Sequence, residues 1–186
     1  MLVNVLNRVT RDYYENLDPA NFPVEAWVHN PSLAAVQGVD RAYWVITGDA
    51  VSSMTTPQIT ALEAVRLPRV KTVKLEVLDD KTSGLIQQGF EFPTASGKIF
   101  SLSLESQANI HGIYITRALP EVTYPIRWLT KDDDAYIDLV DAADVEAFFL
   151  KALGTIRTIK DAGSALKTSV STATTVAGVL AVVDSR

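Results

Sequence analysis

Apolar positions along this chain change their period several times, and each change marks an element. Tyr43 to Ile46 is an aromatic and β-branched run suited to a half-buried strand, and Gly48-Asp49 can supply the positive-φ turn of a tight hairpin. Thr55 or Thr56 then reads as an N-cap, with Pro57 at the first helical position, where a missing N–H costs nothing. A helix from Pro57 to about Arg66 follows, and Val24 to His29 upstream reads as a further strand. The LPR stretch at 67–69 predicts a boundary, because Pro68 disfavours a helical Leu67.

Residues 69–88 carry helical spacing on two sides. Val70, Val73 and Val77 line one, Leu75, Leu78, Leu85 and Ile86 the other, and Gly89 is placed to end the helix. The valines also allow VKTVKLEVL to alternate as a strand. Phe90 to Phe92 and Lys98 to Phe100 read as two strand pieces around a Pro-to-Gly turn. Ser103 is placed to cap a helix over about 104–117 that ends before Pro120. In YPIRWLTKDDDAYIDLV, residues 124–140, apolar Ile126, Trp128, Ile137 and Leu139 alternate with polar neighbours, and Lys131 to Asp134 forms the loop of a hairpin.

From Asp141 the period is helical without interruption. Asp141 caps, Asp144 sits in the first turn, and a seam runs through Phe149, Ala152, Ile156, Ile159, Gly163, Leu166 and Val170 in steps of three and four. A short helix follows, capped by Thr174 or Thr175, with Val176, Val179, Leu180 and Val183 on one face. The pattern predicts an α+β fold of small β-hairpin modules joined by short helices, ending in a long C-terminal helix plus a short one. Its modules are a strand-and-hairpin-plus-helix docking module at 1–68, a mixed helix and hairpin module at 69–140 and a helical module at 141–186.

The short terminal helix spans about two turns, too few to mask a seam of this length. Phe149, Ile156, Ile159, Leu166 and Val170 are therefore the candidate interface residues, with a homo-oligomer, a trimer above other states, as the expected partner arrangement. The competing arrangement closes the seam against the chain's own helices, and Ala152 and Gly163 weaken a self-sufficient coiled coil.

The rest of the composition argues for interfaces over chemistry. The 186 residues carry a net charge of −5, unsuited to nucleic acid or an anionic membrane as main partner. No segment reaches the ~18 apolar residues of a membrane span, and the N-terminus, with Arg8, Arg11 and Asp12, does not read as a signal peptide, so a soluble product of the cytoplasm is expected. There is no cysteine, so no disulfide framework or thiolate chemistry. His29 stands beside Asn30-Pro31 and His111 beside Gly112, neither with a second ligand at metal spacing. Asp132, Asp133 and Asp134 lack the spacing of a calcium loop and read as a solvated hairpin tip. TASGK at 94–98 does not meet the phosphate-loop spacing, and Trp27, Trp44 and Trp128 read as strand anchors. No catalytic centre, metal or cofactor is expected.

Two groups of segments carry a resemblance. NPSLAAVQGVDRAYWVITGDAVSSMTTPQ, residues 30–58, resembles a run found in small tail proteins of tailed bacteriophages. GLIQQGFEF, GKIFSLSLESQANIHGIY, YPIRWLTKDDDAYIDL, DAADVEAFFLKAL and the closing TATTVAGVLAVVD resemble a domain of unknown function in phage tail-fibre and fibre-assembly proteins. The resemblance implies a virion structural component, of the tail fibre or of the tail-tip and baseplate, whose partners are other virion proteins. Its alternatives are a fibre-assembly chaperone absent from mature particles and a head, neck or decoration protein. It brings no catalytic residues.

Overall fold

The computed structural model describes residues 1–132 and 134–186; of the acidic hairpin tip, Asp133 lies outside the described residues. The chain divides into two units, Met1–Arg66 and Leu67–Arg186. The fold is α+β, built from antiparallel hairpins and four α-helices among the described residues.

The first unit opens with strands that the sequence reading did not place. In β1 (Val3–Asn7), Val3 and Val5 alternate with Asn4; it pairs antiparallel with β2 (Tyr13–Leu17) and β3 (Trp27–His29) in the order β2-β1-β3. Asn7 Oδ1 accepts hydrogen bonds from the Val9 and Thr10 amides at 2.8 and 2.9 Å, folding the chain back between β1 and β2. Leu6 lies opposite both Tyr13 and Val28, so all three share the face that packs with Val36, Trp44 and Val51. The strand expected from Val24 begins only at Trp27. Residues 23–26 form a turn in which the Ala26 and Trp27 amides both donate to the Pro23 carbonyl. Hairpin β4 (Trp44–Thr47) and β5 (Ala50–Ser53) turns at Gly48, whose φ is +59°.

Helix α1 runs over Thr56–Gln87. Its start is half a capping box: the Gln58 side chain reaches back to accept from the Thr55 amide at 2.8 Å and its hydroxyl at 2.9 Å. Pro57 accordingly takes the second helical position. The boundary expected at Pro68 is not a helix end, because α1 continues through it. Pro68 is exposed, so the carbonyl left without its N–H faces water and the helix forfeits one bond instead of breaking. The connecting helix is thus long where a short one was expected. Nor is it apolar on two sides: Val73 and Val77 are exposed, and the buried stripe is Leu67, Val70, Leu75, Leu78 and Ile86.

Gly89 ends α1 with φ +92°, and a Cβ there would stand 2.2 Å from the Phe100 carbonyl oxygen. That approach lets β6 (Phe90–Glu91) pair with β7 (Ile99–Phe100) directly after the helix. Ser103 Oγ accepts from the Ser106 amide and caps α2 (Leu104–Thr116). Hairpin β8 (Ile126–Leu129) and β9 (Tyr136–Leu139) sets Trp128 opposite Ile137 on its inner face. Asp141 caps α3 (Ala142–Thr172) through the Asp144 amide, and Thr175 caps α4 (Val176–Leu180) through Gly178. On α4 only Val176 and Val179 are buried; Leu180 and Val183 face solvent, because the chain turns back after Leu180.

Two cores hold the second unit. Phe148 is the centre of one, its ring 4.9 Å from that of Phe90, 5.2 Å from those of Phe92 and Phe100 and 5.5 Å from that of Trp128. Leu78, Val170 and Val179 form the other, joining α1, α3 and α4.

Candidate interaction surface

The chain itself buries the C-terminal end of the α3 seam and leaves Phe149, Ile156, Ile159 and Leu166 half-exposed. Val170 has no exposed surface and packs with Leu78 and Val179, with Leu166 beside them. Phe149 and Ile156 are half-buried against the Phe148 core. Ile159 is half-buried, and its carbonyl accepts from Arg186 at 3.1 Å. Three elements besides α4 do the covering: the second half of α1, helix α2 and the tail after α4. A count of the terminal helix alone understates what masks the seam.

The tail is fixed by a polar knot. Arg186 donates to Asp184 at 2.7 and 2.9 Å, to Thr82 Oγ1 at 3.1 Å and to the Ile159 carbonyl. Lys81 Nζ lies 3.4 Å from the Asp184 carboxylate. The hydrogen bond from Arg186 holds the Asp184 carboxyl well below the usual carboxylate range, against the opposing effect of burial. Gly163 makes room for this knot, since a Cβ there would meet Arg186 Nη1 and Thr82 Oγ1, each at 2.7 Å.

Helices α2 and α3 are joined by an aromatic ladder. Tyr114 stacks on Phe149 with centroids 3.9 Å apart, Arg117 lies 4.0 Å over the Tyr114 ring, and Glu146 pairs with Arg117 at 3.2 Å. Ile110, Phe149, Leu153 and Ile156 line a cavity of about 100 Å³ between the two helices. It opens into a depression of about 510 Å³ whose wall includes Ile86, Leu104, Ile156 and Lys160. Leu104 is 85% exposed and Leu153 48%, with Leu150 exposed a turn away. Gln107 spans both spaces, its amide donating to the Leu102 carbonyl at 2.7 Å. The result is an apolar groove with exposed leucines and a polar rim, the anatomy of a contact surface. Phe149 and Ile156 of the expected interface line it, while its α2 wall was not read from the sequence, although Leu104 at the first helical position, where the apolar phase of α2 has no use for it, was a readable signal.

The groups singled out for chemistry stay apart. His29 is half-buried with Nε2 2.6 Å from the Phe22 carbonyl oxygen, and exposed His111 sits at the ladder's end, 6.2 Å from the Phe149 ring. Asp134 accepts from Thr130 Oγ1, Asp138 pairs with Arg127, Asp141 caps α3, and Asp144 accepts from the Val140 amide. Among the described residues no three His, Asp or Glu side chains gather where a metal could sit. Trp44 is buried with its indole N–H on the Val39 carbonyl, Trp128 lies in the Phe148 core, and Trp27 packs edge-on against Phe22. No helix among the described residues is long and apolar enough to cross a membrane. No protein-family profile, curated protein or solved structure matches the chain.

Proposed function

We propose that this protein is a structural component of a tailed-bacteriophage virion, of the tail fibre or the tail-tip and baseplate, working through protein–protein contacts without catalysis. The observation that carries the reading is the α2–α3 groove, where Leu104 and Leu153 stand exposed beside apolar walls, while Asp141 serves a helix cap, Asp138 an ion pair and His29 a bond to the Phe22 carbonyl. The resemblance of residues 30–58 and of the segments from Gly84 onward to tail proteins supplies the setting. Other virion proteins are its partners, and self-association into the expected trimer uses the exposed leucines of α2 and α3 together with the half-buried seam residues Phe149 and Ile156 in the groove wall.

The test is a double substitution, Leu104→Asp with Leu153→Asp, introduced into the phage that encodes the chain. Leu104 is 85% exposed and Leu153 48%, so the isolated variant is expected to fold, which circular dichroism checks first. Particles are expected to lose the protein or to assemble poorly. Normal particles carrying normal amounts of the well-folded variant refute the groove as the working surface.

A further inference from the structure

The first unit contains a basic pocket that nothing in the virion reading requires. Residues 1–66 hold no lysine and four arginines, and their formal charge is negative. Three of those arginines, Arg11, Arg41 and Arg66, line one depression of about 370 Å³. Like charges gathered on an acidic unit repel one another, so the arrangement is costly unless something answers it.

Arg11 and Arg41 are each anchored on one side without an ion pair, whereas Arg66 pairs with Glu63. Arg11 donates from Nε to the Trp44 carbonyl at 2.9 Å. Arg41 lies over the Trp44 ring at 5.9 Å, and Arg66 over the Tyr43 ring at 6.0 Å. Among the described residues, no carboxylate comes within ion-pair distance of Arg11 or Arg41. The nearby acids have other duties: Asp12 accepts from Thr10 Oγ1 at 2.6 Å, and Asp40 from the Ala42 amide at 2.8 Å. Glu63 Oε1 accepts from the Tyr43 hydroxyl at 2.9 Å and stands 3.5 Å from Arg66 Nη1, too long for a charge-assisted hydrogen bond. Arg66 Nη1 is itself buried without a hydrogen-bond partner among the described residues.

Arg11 has φ +62°, in the left-handed region that side chains other than Asn, Asp and Gly seldom adopt. Arg11 takes this conformation in the β1–β2 turn, where its amide donates to the Asn7 carbonyl at 3.1 Å. The remaining wall, Ala42, Met54 and Leu62, is apolar.

We propose that Arg11, Arg41 and Arg66 form an oxyanion-binding pocket, which takes the carboxylate or phosphate group of a small, partly apolar ligand. The guanidinium forks bind the anion, and the Ala42, Met54 and Leu62 wall receives its substituent. The proposal stands apart from the virion reading and survives its failure.

The test uses the full chain and amide NMR in two titrations at matched ionic strength. One uses inorganic phosphate; the other uses benzoate, a carboxylate on an apolar ring. Saturable shifts confined to residues 10–12, 41–43 and 54 are expected in at least one arm, and the arm that responds identifies the anion. Arg41→Gln is expected to weaken that binding at least about tenfold, the effect of losing one charge-assisted hydrogen bond. The exposed α3 control Arg157→Gln leaves it unchanged. Should Arg41→Gln disturb the dispersion of the spectrum, Arg66→Gln carries the same comparison. Flat or non-saturating titrations in both arms, or equal affinities in the arginine-pocket variant and in Arg157→Gln, overturn the proposal.

Discussion

Two glycines nine residues apart on α3 are expected to respond to alanine in opposite directions. Both sit inside the helix, where glycine costs about 1 kcal/mol relative to alanine. At Gly154 an added Cβ meets nothing within 4 Å, so Gly154→Ala gains that amount. At Gly163 the Cβ would stand 2.7 Å from both Arg186 Nη1 and Thr82 Oγ1, and one of them has to move. Thr82 is the less free, since its hydroxyl also donates to the Leu78 carbonyl at 2.7 Å. The arginine therefore gives way and loses a bond, to Thr82 or to the Ile159 carbonyl, each now 3.1 Å. A hydrogen bond to a charged group is worth about 1.5–3 kcal/mol, which exceeds the gain in helix propensity. Gly163→Ala is expected to lose about 1 kcal/mol. Calorimetry or urea denaturation of the two variants reads the difference, with a shift of about 2–4 °C per kcal/mol in a chain of this length. A Gly163→Ala variant stabilised as much as Gly154→Ala refutes the packing of the tail against α3.

Pro68→Ala restores an N–H in the interior of α1 and is expected to stabilise the protein by about 2 kcal/mol. That is about 3 from helix propensity less about 1 for the freer unfolded chain, and a lower urea midpoint would contradict a continuous helix. The Asp184 knot makes a distinct pH prediction. Its carboxyl is depressed in the folded state by the Arg186 hydrogen bond, so its contribution is complete above the ordinary aspartate value of about 4 and is lost as pH falls from there toward the folded value. Urea midpoints of the parent and Asp184→Asn are expected to differ most near neutral pH and to converge in acid; a gap that stays constant with pH rules the knot out as a charged one.

Local chemistry was legible in the sequence where a single side chain decides the matter. Ser103, Asp141 and Thr175 each cap the helix they precede, and Gly48 and Gly89 take the positive φ their positions demand. The β8–β9 hairpin followed from strict alternation of Ile126, Trp128, Ile137 and Leu139. Elements whose ends depend on packing or solvent were harder to read. Pro68 looks like a stop because the rule for the preceding residue is local, while the exposure that makes it tolerable is not. Strand β1 is five residues long and gains its definition only from partners on both sides. The α3 seam was recognised as an apolar stripe, and its competing arrangement already set the chain's own helices against it; α1 and α4 do pack on it, while α2 and a tail fixed by Arg186 are partners the heptad spacing does not encode. The groove was legible only in part: Phe149 and Ile156 came from the seam, while the walls from α1 and α2 that complete it come from distant parts of the chain.

The proposed virion role is tested most directly by quantitative mass spectrometry of purified phage particles from cultures that produce this chain, compared with the cell lysate. A virion component acting through its surfaces is expected in the particles at a fixed ratio to known tail proteins, retained through gradient purification and high salt. Abundance in the lysate with absence from the particles contradicts the structural role and leaves an assembly factor in its place.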